Sequence, residues 1–165
     1  MANLEQINEM WRVDCVIDEG NIIREAARIP QLHNKYYMMY LQELLRTKKL
    51  KKDLKVLMRD KTEWLNGSMS KEDLDERGWQ VNRLKIVRQD IDKYLESDKD
   101  VIELSLRIDY YEGLAKYLED IVKQVHNRNF MLTNIINWAK FTSGAWLWLH
   151  MQCIGYILKQ IPIPI

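Results

Sequence analysis

Residues 101–125, VIELSLRIDYYEGLAKYLEDIVKQV, carry the pattern that decides the fold. Apolar side chains recur there at alternating steps of three and four residues, which is the heptad pattern of a helix with a narrow apolar seam. The seam consists of Val101, Leu104, Ile108, Tyr111, Ala115, Leu118, Val122 and Val125. So narrow a seam is buried only when a second helix packs along it, and that helix can belong to the same chain or to another subunit.

The residues on either side of the heptad indicate where this helix begins and where it ends. Ser97 to Asp100 read as an N-cap with acidic side chains at the positive end of a helix. The apolar pattern pauses at 126–129 and resumes through Phe130, Ile136 and Trp138. Thr142 to Gly144 is typical of a helix end. The C-terminal part of the chain is therefore expected to be one heptad-patterned helical region.

The remaining segments also favour helices, because only six Gly and three Pro interrupt the chain. Neither a signal peptide nor a disulfide framework is indicated, and we expect a cytoplasmic protein. Ser70 and Asp73 resemble a capping box within the loop 66–78. Helices are predicted over 3–13, from Asn21 through Ala27, after Pro30 to Leu65, and roughly from Val81 to Tyr94. The fold class predicted is all-α, with long helices.

A strongly basic stretch, RTKKLKKDLKVLMRDK, occupies residues 46–61, with eight basic and two acidic side chains in a chain of net charge +1. Like charges at helical spacing destabilise a helix by a few tenths of a kcal/mol per pair, whereas a phosphate backbone turns the same charges into binding energy. The stretch indicates either a nucleic-acid-binding surface or a solvated helix face. Its basic side chains form a stripe of Lys48, Lys52, Lys55 and Arg59, flanked by Arg46 and Lys51.

The sequence offers no set of side chains for catalysis or for a metal ion. Its glycines form no phosphate-binding loop, and the three histidines have no Cys, carboxylate or second His at the spacing of metal ligands. We therefore expect a binding or assembly protein that is not an enzyme and that uses no cofactor or metal.

Five stretches, in a shared order and spacing, resemble the UvsY-like recombination mediators of T4-like bacteriophages, and the cyanophage members most of all. The resemblance covers most of residues 3–144. The stretches are LEQINEMWRVD with the following ID (4–18), IPQLHNKYYMMY (29–40), RDKTEWLNG (59–67), YLESDKDVIELSLRIDYYEGL (94–114) and VHNRNFMLTNIINWAKFTSG (125–144).

The resemblance implies a non-enzymatic factor in DNA recombination, repair and replication, acting in the host cytoplasm during phage infection. Such a protein binds single-stranded DNA and helps a UvsX recombinase, which is RecA-like, to displace the phage single-strand-binding protein. The family forms rings of six or seven subunits through C-terminal helices. In this sequence the oligomerisation residues are expected to be Val101, Leu104, Ile108, Tyr111, Leu118, Val122, Val125, Phe130, Ile136 and Trp138.

The family's DNA-contacting basic pair corresponds to Arg59 and Lys61 at the end of the basic stretch. Asp60, between them, stands where the family has a neutral residue and is expected to weaken the local positive field. Together with the stripe, the resemblance gives an expected DNA-binding set of Arg59, Lys61, Lys55, Lys52, Lys48 and Lys51. The alternative is a structural coiled-coil adaptor that does not bind DNA, in which these cations are a solvated face.

We expect one domain over residues 1–144 and an apolar extension of different character, AWLWLHMQCIGYILKQIPIPI, over 145–165. Its apolar run, residues 146–158, is too short to span a bilayer, which takes about twenty residues. Three interpretations remain open: a packing extension of the oligomer, an anchor at a membrane interface, or a non-native read-through sequence.

Overall fold

The computed structural model describes residues 3–83 and 86–144. In this part of the chain there are five α-helices and no strand, which confirms the all-α prediction. Short 3-10 turns at Glu19–Asn21 and Arg88–Asp90 precede the second and fourth helices. The helices are α1 (Leu4–Asp14), α2 (Ile22–Leu65), α3 (Lys71–Arg77), α4 (Ile91–Glu96) and α5 (Lys99–Thr142). The expectations for the extension 145–165 lie outside the described residues.

The described part of the chain divides into two compact units, one formed by residues 3–35 and 121–144 and the other by residues 36–83 and 86–120. The long helices α2 and α5 contribute residues to both. No helix in the described ranges has both the length and the apolar character needed to cross a lipid bilayer.

In the first unit, α1 begins with a reciprocal capping box. The side chain of Asn3 accepts a hydrogen bond from the Gln6 backbone N–H (2.8 Å), and Gln6 Oε1 accepts one from the Asn3 N–H (3.0 Å). These bonds satisfy two N–H groups that a helix start leaves unpaired. Apolar side chains from α1, α2 and α5 form the core of this unit: Ile7, Leu32, Ile121, Val125 and Leu132.

A buried ion pair accompanies this apolar core. Arg128 and Glu25 are each only 3% exposed, and their side chains are hydrogen-bonded to one another. Arg128 also donates to the backbone carbonyls of Asp14 (3.0 Å), Cys15 (3.2 Å) and Val16 (2.7 Å), just where α1 ends. A single guanidinium therefore satisfies carbonyl groups that the end of α1 leaves without helical partners.

The second unit is built on the antiparallel pairing of α2 with α5. Leu50 of α2 and Val101, Ile108 and Leu118 of α5 are buried in this unit. Polar contacts at three levels show the direction of the pairing: Arg46 over the ring of Tyr111, Lys51 with Glu112, and Lys61 with Asp98 and Asp100. At the far end, Leu65 packs with Ile91 and Leu95 of α4, flanked by Trp64 and Ile86.

The predicted interruption of α2 at Pro30 is wrong, because one helix runs from Ile22 through Pro30 to Leu65. A proline inside a helix removes one backbone hydrogen bond and costs about 3 kcal/mol. Buried side chains on both sides of it, Glu25 and Leu32, hold the helix in place. The predicted N-cap is confirmed, since Asn21 Oδ1 accepts from the Arg24 backbone N–H (3.3 Å).

The predicted helix from Val81 to Tyr94 is wrong over most of its length, and only its end, from Ile91, is α-helical. Residues 81–83 and 86–87 are not helical, and α4 begins only at Ile91. Two hydrogen bonds hold this segment against the end of α2 in a non-helical conformation. Trp64 Nε1 donates to the Gln80 carbonyl (2.7 Å), and Asn82 Nδ2 donates to the Leu65 carbonyl (3.3 Å). Tertiary contacts thus override the local helical pattern.

Both ends of α5 agree with the prediction. Asp98 Oδ1 accepts from the backbone N–H groups of Asp100 (2.9 Å) and Val101 (3.2 Å), so Asp98 is the N-cap. Gly144 ends the helix with a positive φ of 72°, a conformation that favours glycine. The pause expected at 126–129 does not break the helix, which is continuous to Thr142.

Candidate nucleic-acid interface

All six cations expected to bind DNA lie on α2, but the structure places them in three different environments. Lys48, Lys52 and Lys55 are exposed, and none of them forms a hydrogen bond or an ion pair within residues 3–83 and 86–144. Their spacing of four and three residues puts them on one side of the helix, spread over about 10 Å at 1.5 Å per residue. Lys49, which is not part of the predicted stripe, is also exposed and has no hydrogen bond or ion pair in the same ranges.

Two further cations are exposed but already paired with carboxylates. Lys51 forms an ion pair with Glu112, and about half of each side chain remains accessible to water. Arg59 donates to Asp60 Oδ1 from both Nε (2.9 Å) and Nη2 (2.7 Å), and the Arg59 side chain is 66% exposed. The Lys51–Glu112 pair is exposed, and such pairs stabilise a fold by at most about 1 kcal/mol, so a competing anion can replace Glu112 at little cost. Asp60 is buried, so Arg59 keeps this partner.

The surroundings of Arg59 are acidic. The buried Asp60 bridges Arg59 to Arg77 of α3, and a surface cavity of about 260 Å³ beside them is also lined by Glu63, Asp73 and Glu76. The hydrogen bonds to Asp60 and its negative charge raise the pKa of Arg59. Four carboxylates against two guanidinium groups make this cavity unfavourable for a phosphate. Asp60 is expected to weaken the positive field around Arg59, and Asp73 and Glu76 of α3 weaken it further.

Lys61, the second member of the family's basic pair, is buried with 8% of its surface exposed. Its Nζ lies 2.9 Å from Asp98 Oδ2 and 2.7 Å from Asp100 Oδ2. It also lies 4.6 Å from the ring centroid of Trp79. Burial lowers the pKa of Lys61, but the hydrogen bonds to the two carboxylates outweigh this effect and leave the pKa above 10.5. Lys61 is thus a charged, fully engaged contact between the end of α2 and the start of α5.

Sequence reasoning could not separate these cations, because their partners are remote. Asp98 and Asp100 follow Lys61 by 37 and 39 residues. One signal in the sequence could have found this contact. If α2 pairs with α5 along the heptad in antiparallel direction, the aspartates at the start of α5 lie close to the end of α2. No group of His, Cys, Asp or Glu that could hold a metal ion occurs among the residues described.

The ten residues expected to mediate oligomerisation also divide by exposure. Val101, Ile108, Leu118 and Val125 are buried in the chain's own core, and Leu104, Tyr111 and Val122 are partly buried. The last three, Phe130, Ile136 and Trp138, are exposed by 69%, 38% and 68%. Phe141 is exposed too, and its ring stacks on Trp138 at 5.8 Å between centroids. These four exposed apolar side chains lie along the C-terminal part of α5.

Comparison with known proteins gives a matching family and several solved structures of similar fold. The family described as "Recombination, repair and ssDNA binding protein UvsY" matches residues 10–145. A search among curated proteins gives no match.

Crystal structures of the bacteriophage T4 recombination mediator protein UvsY resemble this chain in fold. Lattice type II superposes with a TM-score of 0.75 at 18% identity, over 87% of this chain and 100% of that chain. Lattice type IV gives 0.73 at 18% identity, over 85% and 99%. Lattice type I gives 0.71 at 17% identity, over 82% and 97%.

Proposed function

The chain belongs to the UvsY family, and on this premise we propose that it is a non-enzymatic recombination mediator that binds single-stranded DNA through the exposed lysines of α2. The observation that carries the proposal is the set of unneutralised cations Lys48, Lys52 and Lys55, with Lys49 beside them. Lysines bind phosphates as point charges, without reading bases, and they displace condensed counterions from the strand. Binding is therefore expected to be independent of sequence and strongly dependent on salt.

The remaining cations take graded roles in this proposal. When the strand approaches, Lys51 exchanges its exposed partner Glu112 for a phosphate. Arg59, whose side chain is 66% exposed, adds a phosphate contact while it stays paired with the buried Asp60. Lys61 supports the surface from within by fixing the end of α2 against α5. A substitution of Lys61 then weakens DNA binding through the position of α2 rather than through a lost phosphate contact.

Self-association completes the mechanism. A few lysine contacts per subunit bind weakly at physiological salt, whereas a ring repeats them and raises the effective concentration of each further contact. We assign the subunit contact to the exposed apolar end of α5, around Phe130, Ile136 and Trp138. A hexamer or heptamer built this way presents the DNA strand to a UvsX/RecA-like recombinase and promotes its loading onto DNA covered by the phage single-strand-binding protein, in the cytoplasm of the bacterial host.

The alternative function is a structural coiled-coil adaptor without DNA binding, in which the basic stretch is a solvated face. Val101, Ile108 and Leu118 of the heptad seam are buried within the second unit of this chain. They are consequently occupied in the subunit core and are not available as an intermolecular seam, which counts against a coiled-coil adaptor built on them.

The decisive experiment measures the affinity for oligothymidylate at several salt concentrations, for the wild type and for Lys48→Ala/Lys52→Ala/Lys55→Ala. Each phosphate contact to a single strand contributes about 0.7 to the slope of log K against log salt. The triple variant is expected to lose about 2 from this slope and to bind at least tenfold more weakly at low salt.

A charge-matched control is Lys93→Ala/Lys99→Ala/Lys140→Ala, which removes three exposed lysines from α4 and α5. It is expected to keep most of the wild-type affinity. Equal losses in the two triple variants would contradict the assignment to α2, and a wild-type protein that ignores oligothymidylate in dilute buffer would contradict DNA binding altogether.

A further inference from the structure

The segment after α3 returns to the end of α2 and forms one wall of a second surface cavity. Gly78 ends α3 with a φ of 65°, and the hydrogen bonds from Trp64 to Gln80 and from Asn82 to Leu65 fix the residues that follow. The cavity measures about 550 Å³, within the range of small-ligand pockets in proteins.

The lining of this cavity combines an aromatic ring with cations. Trp79, which is half-buried, and the exposed Val81 supply apolar surface. Lys71 and Arg83 supply positive charge; both are exposed and engage no hydrogen bond or ion pair in the parts of the chain that the structure describes. Asp75 is the one carboxylate among the lining residues, so cations are in excess.

This combination matches the chemistry of a single nucleotide. Bases of any sequence stack on aromatic rings because each has a π-face, and neighbouring cations hold the phosphates. The ring is also preorganised: Trp79 packs against Trp64 at 6.0 Å between centroids, and the ammonium of Lys61 lies 4.6 Å from the Trp79 centroid. A ring held in place loses little conformational entropy when a base stacks on it.

The cavity is joined directly to the end of α2 that carries the basic stretch. The Asp60–Arg77 ion pair ties α3 to α2 at the level of Arg59, and the Trp64 and Asn82 hydrogen bonds tie the following segment to the last turn of α2. A strand that follows the lysines of α2 towards its C-terminal end reaches this region after it has passed the acidic cavity beside Arg59. This continuity favours DNA over an acidic peptide as the occupant.

We propose that the Trp79 cavity is a nucleotide subsite for single-stranded DNA, with Trp79 stacking on a base and Lys71 and Arg83 binding the adjacent phosphates. The inference rests on the proposed DNA-binding function and adds a discrete aromatic contact to the electrostatic contacts of α2.

The test compares oligothymidylate binding by the wild type with binding by Lys71→Ala/Arg83→Ala, and uses Lys93→Ala/Lys99→Ala as the charge-matched control. Both substituted side chains are exposed, so the fold is expected to be unaffected. We expect the affinity of Lys71→Ala/Arg83→Ala to fall five- to twentyfold, while the control stays within twofold of the wild type.

Stacking is tested separately by photo-cross-linking the full chain to oligothymidylate that carries 5-iododeoxyuridine. Trypsin releases Trp79 in the peptide GWQVNR, residues 78–83, and Trp64 in a different peptide, residues 62–71. A cross-link in GWQVNR supports the subsite. Wild-type affinity in Lys71→Ala/Arg83→Ala, or cross-links found only in other peptides, overturns it.

The outcomes separate this proposal from the proposed function. If the wild type binds oligothymidylate and the α2 triple variant does not, while Lys71→Ala/Arg83→Ala binds normally, only the subsite fails. If the wild type does not bind, both fail. If Lys71→Ala/Arg83→Ala keeps its affinity for oligothymidylate but loses affinity for poly-L-glutamate, the cavity is an acidic-peptide site and the nucleotide proposal is overturned.

Discussion

Lys61 and Asp98 connect the last turns of α2 to the N-cap of α5, with 2.9 Å between Nζ and Oδ2. Asp98 has a second task, because its other oxygen accepts the N–H groups of Asp100 and Val101. Burial raises the pKa of Asp98, but the hydrogen bonds from Lys61 and from these backbone groups have the larger effect, so the pKa lies below its usual value of 3.8. The basic pair expected from the family is therefore split between one exposed cation and one structural cation.

Replacing Lys61 by Met is expected to destabilise the fold by about 3 kcal/mol, since it leaves Asp98 partly buried without its counter-charge. Equilibrium unfolding in urea measures the change. Asp100→Asn is the matched control, and it is expected to cost less than 1 kcal/mol because Asp100 is 55% exposed and Asp98 remains paired. An unaltered unfolding midpoint in Lys61→Met, together with a lower salt slope for DNA binding, would show instead that Lys61 contacts phosphate.

Removal of a carboxylate from the acidic cavity beside Arg59 is expected to strengthen DNA binding. Glu76→Gln removes one of the four carboxylates that line it and is expected to raise the affinity for oligothymidylate two- to fivefold at low salt. Glu72→Gln, on the same helix but outside the cavity, is the control and is expected to have a smaller effect. Fluorescence anisotropy measures the affinity at low salt, about 20 mM, and at higher salt, about 200 mM, where screening is expected to reduce the gain. Equal gains in both variants would indicate a general charge effect.

The buried Glu25–Arg128 pair predicts how stability depends on pH. The hydrogen bond from Arg128 lowers the pKa of Glu25 below 4.5, although burial opposes the shift. A lowered folded pKa means that the stabilisation is complete above the unfolded value of about 4.5 and is lost as the pH falls through the folded value. Between pH 7 and pH 3 the wild type should therefore lose more stability than Glu25→Gln, as measured by urea unfolding. Parallel pH profiles for the two proteins would contradict this linkage.

The exposed end of α5 predicts where self-association can be disrupted. Trp138→Ser/Phe141→Ser removes two stacked rings that the described chain leaves in solvent, so it should dissociate the proposed oligomer without loss of helix content. Sedimentation velocity and circular dichroism measure the two properties. Leu118→Ala is the contrasting variant: its side chain is fully buried, so we expect a loss of about 2–5 kcal/mol in folding stability. An unchanged sedimentation coefficient in the serine variant would refute this assignment.

Local patterns in the sequence were enough to predict several elements. The heptad from Val101 to Val125 predicts α5, the acidic residues around Asp98 predict its start, and Asn21 is found as the cap of α2. Each of these signals lies within a few residues of the structure that it determines. The same holds for the unpaired lysines of α2, whose spacing alone places them on one side of the helix.

The errors in prediction arise where distant residues decide. Pro30 is tolerated inside α2 because side chains on either side of it are buried. Residues 81–83 are held out of a helix by hydrogen bonds from Trp64 and Asn82 to backbone carbonyls. The burial of Arg128 depends on Glu25, 103 residues earlier in the chain. None of these contacts leaves a periodic trace in the sequence.

The unneutralised lysines of α2 give salt two opposite effects on this protein. In the free chain, Lys48, Lys52 and Lys55 repel one another, so added electrolyte screens the repulsion and raises the melting temperature. In the proposed complex with DNA, the same electrolyte competes with the lysines for phosphate and lowers the affinity. A strand that binds only the folded helix also stabilises that helix by mass action. In the proposed complex the strand is thus a folding ligand for the helix that holds it.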